Sequence, residues 1–419
     1  ASPLVDHLAC TIDAELQAKA EAVALRAQKS FPETKSLAII VVDNVSREIL
    51  VSVGSGDFSI SQMDLTQAVR SPGSTLKPFI YGMAFEQGFL HPETKIYDAY
   101  IRFRIYAPEN FDKDFQGWVS VREALQRSLN IPAVQVMKKV GSGRLLSRME
   151  GAGVNIRLRG EPGLSLALGG VGCRLYDLVG LYCALANHGK YAPLRFYPRQ
   201  QGENDEAKLL LSPEATWYVD DILKTVPLPG YQDELVPDEE RIRCKTGTSY
   251  GFRDAWAIGY NRDYTVGIWT GQIDGRYGKG STGLDTAVPV LLKIFAGLPP
   301  SSLSKKEWKR PENTMAVNHS DLPPGLKWFA KNSNASDSTG RPTIAYPVNE
   351  SSIEFSENMQ IPLKATGGTP PLYWLINGAI LGKTEPGSRI VYTPDDSGSV
   401  TITLVDSKGK KDKAHLWLE

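Results

Sequence analysis

The segment Arg70 to Tyr81, R-S-P-G-S-T-L-K-P-F-I-Y, constrains the fold of this chain more than any other. Between Arg70 and Glu86 the sequence carries one charge, Lys77. Pro72-Gly73 bends the chain, and Ser74 can then cap or open a helix. Leu76, Phe79, Ile80, Met83 and Ala84 follow at helical spacing, and Gly88 can end the element. Pro78 falls in about the first turn, where a missing N–H costs least. The other face carries Ser74, Lys77, Tyr81 and Phe85, so it is largely apolar as well. A helix apolar nearly all round is a buried helix. The chain must therefore supply structure on every side of it. A single lysine kept one turn after a serine in such a helix also demands a chemical reason.

The rest of the chain is long enough to supply those layers. Its 419 residues allow two or three domains and a large core. From Thr11, T-I-D-A-E-L-Q-A-K-A-E-A-V-A-L-R-A carries a cap signal followed by strong helix formers. Ser36 to Val42 and Ile49 to Val53 read as two strands joined at Asp43-Asn44. After the Ser74 helix comes a loop-rich stretch, Asp98 to Gly117. Ser120-Val-Arg-Glu123 is a capping box for a helix ending at Ser128-Leu129-Asn130, and Ile131-Pro132 begins another. Tyr176 to Asn187 and Glu214 to Val226 read as further helices. I-R-C-K-T-G-T-S, D-A-W-A-I-G-Y and Y-T-V-G-I-W-T-G then form three apolar strands, with tight hairpins at Gly251 and Asn261-Arg262. A helix, T-A-V-P-V-L-L-K-I-F-A, closes the unit. Strands at both ends with helices between predict an α/β domain built on an antiparallel sheet.

Composition changes after Leu298. Residues 299–341 are rich in Pro, Ser, Lys and Asn and read as a linker. Residues 342–419 alternate short strands with turns: M-Q-I-P-L-K, L-Y-W-L-I, the hairpin signal Asn377-Gly378, R-I-V-Y-T and V-T-I-T-L-V. The period-two pattern predicts a small all-β, immunoglobulin-like sandwich, with Asp395-Asp396 closing a second local hairpin. This tail holds no motif residue. It is expected to fold alone and to be dispensable for the chemistry, with Tyr373 and Trp374 filling its core or, alternatively, serving as contacts for a partner or a glycan. The catalytic unit is placed at 36–298. Residues 1–35 read as a helix and a linker from a region upstream, because the sequence opens abruptly in A-S-P-L-V-D-H.

Several function classes are disfavoured. Lys+Arg and Asp+Glu both number 47, so a nucleic-acid surface is not the main business. No apolar run approaches the length that spans a bilayer. Cys10, Cys173, Cys183 and Cys244 lack CxxC spacing and read as buried small hydrophobes rather than metal ligands or a disulfide scaffold. No metal and no cofactor are expected.

Three short motifs carry chemistry. Ser74-Thr75-Leu76-Lys77 is S-x-x-K, Ser128-Leu129-Asn130 is S-x-N, and Lys245-Thr246-Gly247-Thr248 is K-T-G-T. Each alone is weak; all three in this order, each in its required context, are a strong signal. Residues three apart on a helix share a face, so Lys77 Nζ can reach Ser74 Oγ. Burial and a second cation such as Lys245 lower a lysine pKa, and a lysine poised near neutrality can take the serine proton. Ser128 can pass that proton to a leaving amine. Asn130 can hold a substrate carbonyl or orient Lys77. Lys245 and Thr246 offer a charge and a hydroxyl to a substrate carboxylate. The N–H groups of Ser74 and Thr248 are candidates for an oxyanion hole.

With these motifs, R-S-P-G-S-T-L-K-P-F-I-Y-G, V-R-E-A-L-Q-R-S-L-N-I-P-A-V, L-A-L-G-G-V-G-C-R-L-Y-D-L-V and C-K-T-G-T-S-Y-G-F-R-D-A-W-A-I-G-Y resemble the transpeptidase half of bifunctional (class A) penicillin-binding proteins, the 1C group above all. The resemblance covers Thr11 to Leu298 well and the tail more loosely. It implies the serine penicillin-recognising fold, with an antiparallel sheet of about five strands flanked by helices. It also implies a D,D-transpeptidase in which Ser74, Lys77, Ser128, Asn130 and Lys245 are catalytic and Thr246, Gly247 and Thr248 bind substrate. The implied partners are stem peptides (a D-Ala-D-Ala donor and an amine acceptor), β-lactams that acylate Ser74, and a cell-wall protein partner for the tail. The implied location is the periplasmic face of the bacterial inner membrane. The family's glycosyltransferase domain and anchor are not visible, and no E-D-x-x-F-x-x-H segment occurs. Alternatives are a D,D-carboxypeptidase, a β-lactam-binding scaffold or sensor, and a β-lactamase. The last is disfavoured because Glu161-Pro162-Gly163-Leu164-Ser165 has Ser165 where class A β-lactamases carry Asn.

Overall fold

A computed structural model describes residues 9–32, 34–101, 108–111, 114–158, 160, 162–199, 206–232, 236–238, 240–278, 280–300, 309–329 and 342–419. In chain order its elements begin with α1 (Ala14–Gln28), β1 (Lys35–Asp43), β2 (Ile49–Val53), α2 (Lys77–Glu86), β3 (Lys95–Asp98) and β4 (Gly117–Ser120). Then come α3 (Val121–Gln126), α4 (Asn130–Val140), α5 (Ser142–Ala152), α6 (Leu175–Ala186), the two-residue β5 (Lys190–Tyr191) and β6 (Lys208–Leu209), and α7 (Pro213–Leu223). β7 (Arg243–Thr248), β8 (Asp254–Tyr260), β9 (Tyr264–Gln272), α8 (Gly283–Thr286), α9 (Val288–Phe295) and α10 (Pro324–Lys327) follow. The tail holds β10 (Thr343–Tyr346), β11 (Ser351–Ile353), β12 (Ile361–Thr366), β13 (Leu372–Ile376), β14 (Ala379–Thr384), β15 (Arg389–Tyr392), β16 (Gly398–Val405) and β17 (Lys411–Leu418). They pack as two compact units. One comprises Ala1–Glu93, Val121–Ser128 and Ala133–Asp321; the other comprises Thr94–Ser120, Leu129–Pro132 and Leu322–Glu419.

The first unit is built on a five-stranded antiparallel sheet of order β2-β1-β9-β8-β7, flanked by helices. Every residue of β1 is buried, which explains its unbroken apolar run. Leu37, Ile39 and Val41 join Leu16, Ala20 and Ala24 of α1 and Val288, Leu291 and Ile294 of α9 in one core. The alternate residues point to the opposite face, where α6 lies so close that a Cβ at Gly267 would stand 2.9 Å from Leu175. The cap of α1 is Asp13, whose carboxylate accepts from the N–H groups of Glu15 and Leu16. α2 is buried from Lys77 through Phe85, as its composition predicts. Pro78 sits in its first turn, where no N–H is required. The opening of this segment differs from expectation. Gly73–Leu76 forms a 3₁₀ turn with Pro72 at its cap position, and Ser74 makes no side-chain cap.

The second unit contains the tail sandwich. A three-stranded sheet, β10-β12-β15, faces a five-stranded one, β11-β17-β16-β13-β14. Leu363, Trp374, Ile402, Leu404 and Leu416 are completely buried between them. Asn377-Gly378 makes the β13–β14 turn with φ positive at both residues, as the dipeptide predicts. Asp395-Asp396 does not close a hairpin: β15 and β16 belong to different sheets, so these residues carry the crossover between them. Trp374 is core, its Nε1 donating to Thr384 Oγ1 at 3.0 Å, whereas Tyr373 is partly exposed. The stretch Asp98–Gly117, read as loop, is closed at its base by β3 pairing with β4. Cys173, Cys183 and Cys244 are buried, but Cys10 is exposed in the lead-in to α1.

Candidate active site

The nucleophile candidate sits where three chain segments meet at van der Waals limits. Gly73 has φ +54°, and a Cβ there would stand 2.6 Å from Thr248 O and 2.8 Å from Thr248 N. Both the conformation and the close approach require glycine. The reciprocal constraint holds on β7, where a Cβ at Gly247 would stand 2.5 Å from Pro72 O. The turn is pinned on its other sides. Trp256 Nε1 donates to Ser71 O at 2.8 Å, Ser71 Oγ to Gly169 O at 2.7 Å, and Tyr182 Oη to Thr75 O at 2.7 Å. Ser74 is thus held beside the end of β7 on a segment with little freedom. Residues three apart eclipse in a 3₁₀ turn, so Ser74 and Lys77 share one side of it. The N–H of Lys77 closes the turn on Ser74 O.

Two buried lysines converge on one hydroxyl. Lys77 is fully buried, and its Nζ donates to Ser128 O at 2.6 Å and Ser128 Oγ at 3.4 Å. Lys245 is 2 % exposed on β7; its Nζ donates to Ser128 Oγ at 2.8 Å and to Thr246 O at 2.9 Å. Burial pushes the Lys245 ammonium down to about 8, with the neighbouring Cys244 opposing the shift weakly. Ser128 itself has φ +58°, a left-handed conformation that costs a side-chain-bearing residue about 1 kcal/mol or more. It follows the last turn of α3, where its N–H donates to Leu125 O at 3.1 Å.

The K-T-G-T residues occupy β7, an end strand of the sheet, paired in register with β8 from Lys245–Ile258 to Thr248–Ala255. Thr246 and Thr248 are half-buried. Thr248 Oγ1 accepts from the N–H of Gly283 at 3.2 Å, at the start of α8. Seven of the eight site residues, Ser74, Lys77, Ser128, Lys245, Thr246, Gly247 and Thr248, belong to the first unit. Asn130 belongs to the second, where its Nδ2 donates to Glu109 O at 2.7 Å. Glu161 lies outside the described residues. Among the described residues no three His, Cys, Asp or Glu side chains are grouped to hold a metal ion.

Chemically, this is a serine presented beside the end strand of the sheet, with a second serine hydroxyl held between two amines. Of the motif residues singled out in the sequence, the structure brings Lys77, Ser128 and Lys245 into contact. Sequence reasoning gave Pro72-Gly73 only a bend and assigned no role to Ser71, Gly169 or Trp256, which hold the Ser74 turn, although the stretches containing them are quoted above. It also missed Asn110, which no local pattern marks.

Comparison with known proteins agrees with this fold. The family described as "Penicillin binding protein transpeptidase domain" matches residues 37–296, and "Penicillin-Binding Protein C-terminus Family" matches residues 331–416. The chain belongs to the penicillin-binding protein transpeptidase family. It is 40% identical over 319 residues to "Penicillin-binding protein 1C" of Escherichia coli (strain K12), covering 74% of this chain and 40% of that protein. "Penicillin-binding protein 1F" of Bacillus subtilis (strain 168) is 28% identical over 284 residues, covering 62% of this chain and 39% of that protein. The chain thus spans about two fifths of the length of these curated relatives. The solved structure of the PonA1 protein from Mycobacterium tuberculosis in complex with penicillin V shares the fold, with TM-score 0.60 and 18% identity over 71% of this chain and 87% of that one.

Proposed function

We propose that this chain is a peptidoglycan D,D-transpeptidase acting through a Ser74 acyl-enzyme. The observation that carries the reading is the convergence of Lys77 and Lys245 on Ser128 Oγ, with Ser74 one turn before Lys77 and its neighbour Gly73 pressed against Thr248. Neutral Lys77 takes the Ser74 proton as Ser74 Oγ attacks the carbonyl of the penultimate D-Ala. The Ser74 and Thr248 N–H groups hold the developing oxyanion. The proton returns through Ser128 to the amine of the terminal D-Ala, which departs. An acceptor amine from a second stem peptide then attacks the ester, yielding the cross-link and restoring Ser74. Lys245 and Thr246 bind the substrate carboxylate, and Asn130 a substrate carbonyl. A β-lactam follows the first half, its opened ring remaining on Ser74.

Membership of the penicillin-binding protein transpeptidase family supports the acylation half of this reading. The place of action is the periplasmic face of the bacterial inner membrane. Among the described residues no helix is long and apolar enough to cross a membrane. The test is release of D-Ala from a D-Ala-D-Ala pentapeptide with and without an acceptor amine. Transpeptidation predicts an acceptor-dependent product that retains the donor acyl group. Release to water alone, unchanged by acceptor, establishes a D,D-carboxypeptidase instead. No release, with stable penicilloylation, establishes a β-lactam-binding scaffold.

A further inference from the structure

Asn110 is 3 % exposed in the stretch between β3 and β4. Its Oδ1 accepts from the N–H of Asn130 at 2.8 Å and of Ile131 at 3.3 Å. These are the first N–H groups of α4, which have no partner within the helix. The cap of α4 is therefore supplied by a side chain twenty residues upstream in the sequence. The amide cannot rotate away. Its Nδ2 donates to both oxygens of the buried Asp98, at 2.9 and 2.8 Å, and to Asp114 O at 2.8 Å. With Glu109 O accepting from Asn130 Nδ2, neighbouring residues fix both the backbone and the side chain of Asn130.

The tail reaches the same stretch. Lys364 of β12 is buried, and its Nζ pairs with Asp114 Oδ1 at 2.8 Å and stands 5.0 Å over the Phe115 ring. A lysine buried in one sheet of a sandwich bears a desolvation cost that its partner must offset. Here that partner is the residue whose carbonyl holds Asn110. The expectation that the tail is dispensable took no account of such a contact.

We propose that Asn110 is the positioning residue for Asn130, and that the C-terminal β domain braces it through the Lys364–Asp114 pair. The inference rests on the Ser74 acyl-transfer reading for its catalytic consequence. In this arrangement the tail holds Asn130 in its working geometry.

The test uses the full chain and two readouts, amide hydrogen exchange of the segment containing Asn130 and Ile131, and acylation by a fluorescent penicillin. In Asn110→Ala, exchange should rise about ten-fold, as expected for a lost cap. The saturating acylation rate should fall by about ten-fold or more with half-saturation little changed, since misplacement acts on the chemical step. Lys364→Met keeps the apolar stem over Phe115 and does not depend on Asn110→Ala folding. It should shift both readouts in the same direction by less, Lys364→Arg should restore them, and Lys364→Met should add nothing in the Asn110→Ala background. Unchanged exchange in Lys364→Met removes the bracing role. Faster exchange with unchanged acylation in both variants removes the positioning role. If the parent chain is not acylated while exchange responds as stated, the acyl-transfer reading fails and the tethering of Asn130 stands.

Discussion

Lys245 Nζ lies 2.8 Å from Ser128 Oγ, on the same hydroxyl that Lys77 Nζ approaches at 3.4 Å. Two ammonium ions sharing one buried hydroxyl repel, and neither is well solvated. Burial lowers the Lys245 ammonium to about 8, which eases loss of its proton beside that hydroxyl.

Ser74→Ala should abolish the covalent penicilloyl adduct while leaving the melting temperature near that of the parent. Ser74 makes no cap and stands half-buried, so its hydroxyl contributes little to the fold. Intact-mass measurement after penicillin treatment checks this. An adduct that survives in the variant, or maps to another residue, ends the assignment.

Lys77→Arg should be nearly as damaging as Lys77→Ala, with acylation slowed by about 10²-fold or more in both. A guanidinium stays charged at any working pH and cannot act as a base. Single-turnover acylation rates decide it. Near-parental acylation by the arginine variant excludes Lys77 as the base.

Ser128→Gly and Ser128→Ala should lose acylation to the same extent, because both remove the hydroxyl between the lysines. They should differ in stability. With φ at +58°, glycine should be the more stable of the two by about 1 kcal/mol. Urea unfolding of the two variants measures the difference. Equal stabilities show that the left-handed conformation at this position is not retained.

The Lys245 ammonium, pushed down to about 8 by burial from its ordinary 10.5, makes a pH-dependent contribution to stability. Its folded pKa lies below its unfolded one, so the unfolded chain binds more protons between those values and stability rises with pH there. The penalty for burying the charge is fully present below about pH 8 and is relieved toward 10.5. Lys245→Met removes the titration. Its stability relative to the parent should be most favourable below pH 8 and decline by on the order of 3 kcal/mol as pH rises to 10.5. Parallel urea titrations of both proteins across that range check the slope. A difference independent of pH shows that Lys245 titrates at an ordinary value.

Residues acting on their neighbours in the chain were legible. The unbroken apolar run of β1, the all-round apolarity of α2 and the Asn377-Gly378 turn each encode a local conformation, and each formed. So did the i,i+3 relation of Ser74 and Lys77, which depends only on helical geometry. Sequence reasoning failed where a short element had no periodicity to show. β3 and β4 have four residues each and alternate too briefly to stand out from loop. It failed again at Asp395-Asp396, where turn chemistry was read correctly as a break but not as a crossover between sheets.

By itself, then, the sequence determined the longer helices and strands and the faces they bury, and it singled out eight motif residues, because these follow from spacing and burial within a few residues. Tertiary structure alone decided that Lys77 and Lys245 end on the same Ser128 Oγ, across 51 and 117 residues of chain. It alone decided that α4 is capped by Asn110, and that a lysine of the tail holds the residue behind it. Hydrogen bonds between distant segments have no period to read. Their partners are chosen by which backbones the packed core brings within 3 Å of one another, as at Lys364 and Asp114, paired at 2.8 Å across 250 residues.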